Sequence, residues 1–213
     1  MAIMFLMDGP EHAKFTLLLA HGAGAAMDSA AMTAMAKILA ESGFRVARFE
    51  FDYMASRRTS VGRKPPPRAD KLKPEFVAAI DALDVKGPLI IGGKSMGGRV
   101  ASMVSDELYA SRRISALLCL GYPFHPPGKP DQLRTQHLAE IRTPTLIVQG
   151  TRDEFGSREE VRSYGLSKSI DILWLEDGDH DLKPRKSVSG FSAADHLKTL
   201  GKAVASWSDK IVS

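Results

Sequence analysis

Apolar positions along the chain fall into two alternating kinds of run. Short, solid stretches of strand length occupy residues 16–20, 45–51, 88–92, 114–121, 145–150 and 170–175, with a weaker one at 2–7. Several are unbroken leucine or β-branched runs, as strands covered on both faces require. Between them, residues 29–41, 74–83, 97–109, 131–140, 158–165 and 193–208 carry apolar side chains at helical spacing. Asp28 or Ser29 stands where the first helix needs a cap, and Gly43 stands where it should end. This alternation predicts an α/β fold: a doubly wound, mostly parallel sheet of about seven strands with helices on both faces, in one domain over residues 1–213. The runs 2–7 and 16–20 flank an Asp8-Gly9-Pro10 turn and are expected to pair as an antiparallel edge.

Two irregular segments interrupt the pattern, 54–74 with three consecutive prolines and 122–130 with four prolines. Neither has the apolar content to fold alone, so both are read as loops. Each follows a parallel strand and should open on the carboxyl edge of the sheet, where such folds bind ligands.

Composition narrows the function classes. With 44% apolar and 25% charged residues among 213, the chain is an ordinary globular sequence that can bury a core without a metal or disulfide. Its one cysteine, Cys119, lies in an apolar run, which fits a buried thiol and a reducing, cytoplasmic setting. The apolar start at 1–7 has no basic stretch before it and does not read as a secretory signal. No run approaches the roughly 18 apolar residues of a membrane span. The net charge of +4 is local: residues 54–74 hold Arg57, Arg58, Arg63, Lys64, Arg68, Lys71 and Lys73 against Asp70 alone, and the rest has 22 basic and 24 acidic residues. One basic loop, rather than a basic body, argues against a nucleic-acid partner.

The strongest chemical signal is Gly93-Lys94-Ser95-Met96-Gly97, set between a strand and a helix. A serine at such a turn sits in strained backbone, flanking glycines relieve the crowding, and its hydroxyl projects above the sheet. The Met96 N–H then opens a helix and can donate to a developing oxyanion. A phosphate-binding loop is excluded, because its first glycine would fall at Pro88. The segment from Gly22 to Met27 nearly matches a dinucleotide fingerprint, with Glu50 or Asp52 at the end of the next strand, but Met27 stands where a small residue is needed. The same His21-Gly22-Ala23-Gly24 run fits an oxyanion loop, in which the Ala23 or Gly24 N–H faces the serine's target.

A serine hydrolase also needs an acid and then a histidine further along the chain. His137 and His196 lie in helix candidates, and His125 precedes every suitable acid. His180 follows the last strand, in Asp177-Gly178-Asp179-His180-Asp181, and Asp153 follows the strand before it, with Glu154 its nearest competitor.

Ser95 in its elbow, Asp153, His180 and the His21-Gly22-Ala23-Gly24 loop together resemble the α/β-hydrolase superfamily over nearly the whole chain. The compact size and the Gly-Asp-His-Asp-Leu segment are similar to the small, lidless predicted hydrolases, dienelactone-hydrolase-like and NSL-complex-subunit or testis-expressed-protein-like. The resemblance implies a Ser-His-Asp triad that hydrolyses small soluble esters or related acyl compounds without cofactor or metal. Dienelactone hydrolases carry cysteine at the elbow where this chain has Ser95, and no insertion is long enough for a lid. The competing readings are a dinucleotide-binding protein and a non-catalytic interaction module on the same fold. The basic loop would favour anionic substrates, with Arg57, Arg58 and Arg63 as candidate clamps for a carboxylate or phosphate and His125 a further candidate contact.

Overall fold

A computed structural model describes residues 3–59 and 65–211. In chain order the elements are β1 (Leu6–Asp8), β2 (Thr16–Ala20), α1 (Ala30–Glu41), β3 (Arg45–Phe49), α2 (Asp52–Ala55), α3 (Lys73–Leu83), β4 (Leu89–Lys94), α4 (Met96–Ser102), α5 (Ser105–Ala110), β5 (Ala116–Leu120), β6 (Thr145–Gly150), α6 (Arg158–Val161), β7 (Ile170–Leu175), α7 (Lys186–Ser189) and α8 (Ala193–Ile211). The seven strands form one sheet in the order β1-β3-β2-β4-β5-β6-β7. All neighbours run parallel except β1 against β3.

The two-residue period of a strand divides the core into two layers. Leu18 and Ala20 of β2, with Leu117 and Cys119 of β5, face one layer, where Phe76 of α3 and Val100 of α4 are buried. Leu17 and Leu19, with Leu118 and Leu120, face the other, against α1 and α8. Helix α1 buries Met32, Met35, Ala36 and Leu39, the three- and four-residue spacing of one helical face. Each such large side chain removed from water stabilises the fold by about 2 kcal/mol.

Four sequence expectations are corrected. Strand β1 pairs with β3, Leu6 opposite Arg48, because β2 is held on both flanks by β3 and β4. An Arg48–Asp8 ion pair at 2.8 Å ties that edge. The helix over 97–109 is broken after Ser102, where the Ser102 hydroxyl donates to the Arg99 carbonyl and the Ser105 hydroxyl to the Ser102 carbonyl, in competition with the helical ladder. Residues 131–140 form no α-helix and contain only a 3-10 turn at Gln136–Leu138. There the Arg134 N–H donates to Phe124 O at 2.7 Å, and the Tyr122 hydroxyl to Arg134 O at 3.1 Å, so the backbone is tied across to the β5 loop. The helix over 158–165 ends at Val161 after a complete Ser157–Glu160 capping box.

Candidate active site

The site is built where β4 turns into α4. Ser95 has φ 51° and ψ −115°, a strained conformation for a residue with a side chain, held because its N–H donates to Leu120 O at 3.0 Å and its carbonyl accepts from Arg99 N–H at 3.0 Å. The flanking glycines are needed for close approach: a Cβ on Gly93 or Gly97 would run into the Ala20 carbonyl. The turn therefore lifts the Ser95 side chain off the carboxyl edge.

His180 reaches over from the segment after β7. Its Nε2 lies 2.8 Å from Ser95 Oγ, and its Nδ1 lies 2.9 and 3.0 Å from the two oxygens of Asp153. A carboxylate only accepts, so Nδ1 carries the proton and Nε2 presents a lone pair to the serine. Asp153 is buried, and its oxygens also accept from Gln149 Nε2 at 2.9 Å and Phe155 N–H at 2.9 Å. The Phe155 ring stacks on the imidazole with centroids 4.0 Å apart. Behind it, Lys94 Nζ donates to the His180 carbonyl at 2.7 Å. Glu154 is exposed, while Asp179 accepts from the Asp181 and Lys183 N–H groups in its own turn. Asp177 belongs to the scaffold of this segment: its hydrogen bonds with Arg185 hold its carboxyl down to about 2.

The loop after β2 is set by two anchors that sequence reading passed over. His21, buried, shares its Nδ1 proton with Gly22 O at 2.6 Å and accepts from Phe51 N–H on Nε2 at 3.2 Å. Burial lowers its pKa and keeps the ring neutral. The Tyr53 hydroxyl lies 3.4 Å from Gly22 O and 3.2 Å from Ala23 O. In a trans peptide the C=O and the next N–H point in opposite directions, so anchoring the Gly22 carbonyl turns the Ala23 N–H away from these side chains. Ala23 and Met96 line the cleft beside Ser95, whereas Gly24 is exposed.

A second serine–histidine contact joins Ser102 Oγ to His137 Nε2 at 2.8 Å. It is arranged differently. The Ser102 hydroxyl donates to Arg99 O at 2.7 Å, so its oxygen accepts from Nε2–H and meets no free base there. Burial pushes His137 down to about 4.

The cleft above Ser95, about 380 Å³, is lined by Ala23, Pro66, Pro67, Arg68, Ala69, Asp70, Met96, Arg99, Pro123, Arg134 and Phe155. Two of the arginines expected there, Arg57 and Arg58, are elsewhere. Arg58 donates to both oxygens of Glu50 and to Asp28 at 2.8–2.9 Å, and Arg57 lies over the Tyr53 ring at 5.1 Å. Arg63 lies outside the described residues. His125 is buried, with Nδ1 directed to Pro126 O at 2.8 Å and Nε2 3.5 Å from Glu160. Arg99 and Arg134, which the sequence did not single out, stand in the cleft instead.

Residues 13–209 match the alpha/beta hydrolase domain family, and the chain belongs to it. The chain is 28% identical over 147 residues to "Putative protein-lysine deacylase ABHD14B" of Rattus norvegicus. That match covers 68% of this chain and 64% of the relative, so the chain spans just under two thirds of the curated relative's length. Among solved structures it is similar to a serine hydrolase without lid from Xanthomonas campestris, with a TM-score of 0.65 and 20% identity over 98% of this chain and 88% of that one. It is also similar to dienelactone hydrolase from Anabaena variabilis, with a TM-score of 0.69 and 18% identity over 96% and 90% of the two chains. The fold is therefore the α/β-hydrolase fold, with a lidless neighbour. Family membership also removes the dinucleotide reading of the Gly22 segment. Of the two acids that reading offers for a ribose, Glu50 and Asp52, Glu50 is held by Arg58 and accepts from Met27 N–H at 3.2 Å.

Proposed function

We propose that this chain is a serine esterase in which Ser95 is the nucleophile, His180 the general base and Asp153 the orienting acid. The observation that carries the reading is the continuous relay from Ser95 Oγ through His180 to a buried Asp153, with 2.8 and 2.9 Å contacts. Ser95 Oγ attacks the acyl carbonyl as its proton passes to His180 Nε2. The oxyanion is held by the Met96 and Ala23 N–H groups, with Gly24 closing the loop. Collapse breaks the acyl–oxygen bond, and the imidazolium returns its proton to the departing alcohol. Water then attacks the acyl-enzyme with the same proton traffic, which releases the acid and restores Ser95. Asp153 stays ionised and stabilises the imidazolium.

The substrate class in this reading is a small ester, received by a cleft of modest volume that is open to solvent. A fluorophosphonate probe on the intact protein, read by mass spectrometry, tests it: one adduct is expected, on Ser95, and none in Ser95→Ala. Labelling of another serine, Ser102 included, would overturn the assignment.

A further inference from the structure

The charge inside the cleft is unbalanced. Three arginines line it, Arg68, Arg99 and Arg134, against one carboxylate, Asp70. Arg68 Nε donates to Asp70 at 3.1 Å, and those two charges answer each other. Among the described residues no carboxylate forms an ion pair with Arg99 or Arg134; Glu140, which shares the adjoining groove with them, is no exception. The Arg99 Nε is buried without a hydrogen-bond partner among the described residues. A buried guanidinium donor left unmatched is costly, and a second cation beside it adds repulsion. The proximity is felt: burial first, and the Arg99 charge next, lower the pKa of Arg134.

Each arginine is delivered to the cleft by a feature of the backbone. Arg99 stands four residues after Ser95, in α4 with its N–H on the Ser95 carbonyl, and both residues line the cleft. Arg134 is carried in by the loop that replaces the expected helix over 131–140, tied to Phe124 and Tyr122. Around them the walls are apolar: Met96, Pro123, Phe155 and the prolines at 66 and 67. Two planar forks with no carboxylate partner among the described residues, in such walls, match a planar or tetrahedral oxyanion, which accepts bidentate hydrogen bonds from each.

We infer that Arg99 and Arg134 form an anion subsite beside Ser95, and that the substrates are esters bearing a carboxylate or phosphate group a short distance from the scissile carbonyl. This rests on Ser95 as nucleophile, and it moves the anionic preference from Arg57 and Arg58 to two residues in the cleft.

The test compares the mono-p-nitrophenyl esters of succinate and glutarate with p-nitrophenyl butyrate, and acetyl esters of phosphate-bearing phenols with their neutral parents. The readout is the ratio of kcat/KM for anionic over neutral ester within each variant, so a general loss of activity cancels. The ratio should exceed unity in the wild type and fall roughly tenfold or more in Arg99→Gln and in Arg134→Gln, the scale of one charge-assisted hydrogen bond. Arg134→Lys should recover part of it, and Arg162→Gln, exposed and outside the cleft, should leave the ratio alone. Comparing the carboxylate and phosphate series identifies which group the subsite takes. A ratio near one in the wild type, or one unmoved by either glutamine variant, overturns the subsite. Calorimetric binding of glutarate monoamide to Ser95→Ala reads the subsite without turnover. Binding that is lost in Ser95→Ala/Arg99→Gln sustains it even if no ester is hydrolysed, while no binding at millimolar ligand overturns it.

Discussion

Lys94 and His180 are joined by a 2.7 Å hydrogen bond from the buried ammonium to the histidine's own carbonyl, 86 residues away along the chain. The residue before the proposed nucleophile thus holds the segment that carries the proposed base. The ammonium also faces Asp181 at 3.6 Å, and burial lowers its pKa. In Lys94→Met the apolar stem is kept and the tether lost, so kcat should fall about tenfold, with KM changed less. A raised KM with kcat unchanged would instead leave Lys94 a packing residue only.

The relay itself predicts non-additivity. Alanine at Ser95 or at His180 should each lower esterase kcat roughly 10⁴-fold, and the double variant should lose little more, because each acts only through the other. Asp153→Asn should be less damaging than Ser95→Ala, since the base remains but its tautomer is no longer fixed. Glu154→Gln should be nearly silent, as the side chain is exposed. Additive losses, or a severe Glu154→Gln defect, would mean the wrong residues were assigned.

The parts of the molecule that were legible in sequence are those encoded by local periodicity. Runs such as 16–20 and 145–150 coincide with β2 and β6 because strands covered on both faces must be apolar throughout. The elbow was legible because Gly93 and Gly97 stand where any Cβ would strike the Ala20 carbonyl. Long-range pairing was not: nothing local to residues 6–8 says that Arg48, rather than β2, will be opposite Leu6. The helix breaks at Ser102 and across 131–140 were set by a few hydrogen bonds outside the helical ladder, which periodicity does not weigh. The same blindness hid Arg99 and Arg134. A dense run of cations at 54–74 drew attention, yet Arg58 is matched by Glu50 and Asp28, and only tertiary contacts separate matched charges from unmatched ones.

The loop after β2 gives a prediction about the oxyanion donors. Burial pushes the Tyr53 phenol up to about 12, so its hydroxyl stays protonated and donating across the working range. Tyr53→Phe removes the bonds to the Gly22 and Ala23 carbonyls while keeping the ring. If these carbonyls set the direction of the Ala23 N–H, kcat should fall by about tenfold with KM near the wild-type value, since an oxyanion donor acts in the transition state. A rise in KM alone would instead assign Tyr53 to ground-state binding.

Acid pH should separate two buried contacts with opposite chemistry. His137, against Ser102 and the Tyr122 hydroxyl and near Arg99 and Asp106, is pushed from 6.5 down to about 4 mainly by burial and next by the Arg99 charge. Between those values the unfolded chain takes up a proton that the folded chain refuses, so stability falls as pH drops from about 6.5 to 4 and the histidine adds nothing further below that. Asp177 behaves as a paired carboxylate: hydrogen bonding to Arg185 lowers it from 3.8 to about 2, so its contribution is present above 3.8 and is lost as pH falls toward 2. Urea denaturation at a series of pH values should therefore give His137→Gln a flatter profile between 6.5 and 4. Asp177→Asn should be less stable than wild type above pH 4 and converge with it near pH 2. A His137→Gln curve parallel to wild type across the upper window would mean that this histidine titrates in the folded protein as it does in water, and that its burial does not govern the acid limb of stability.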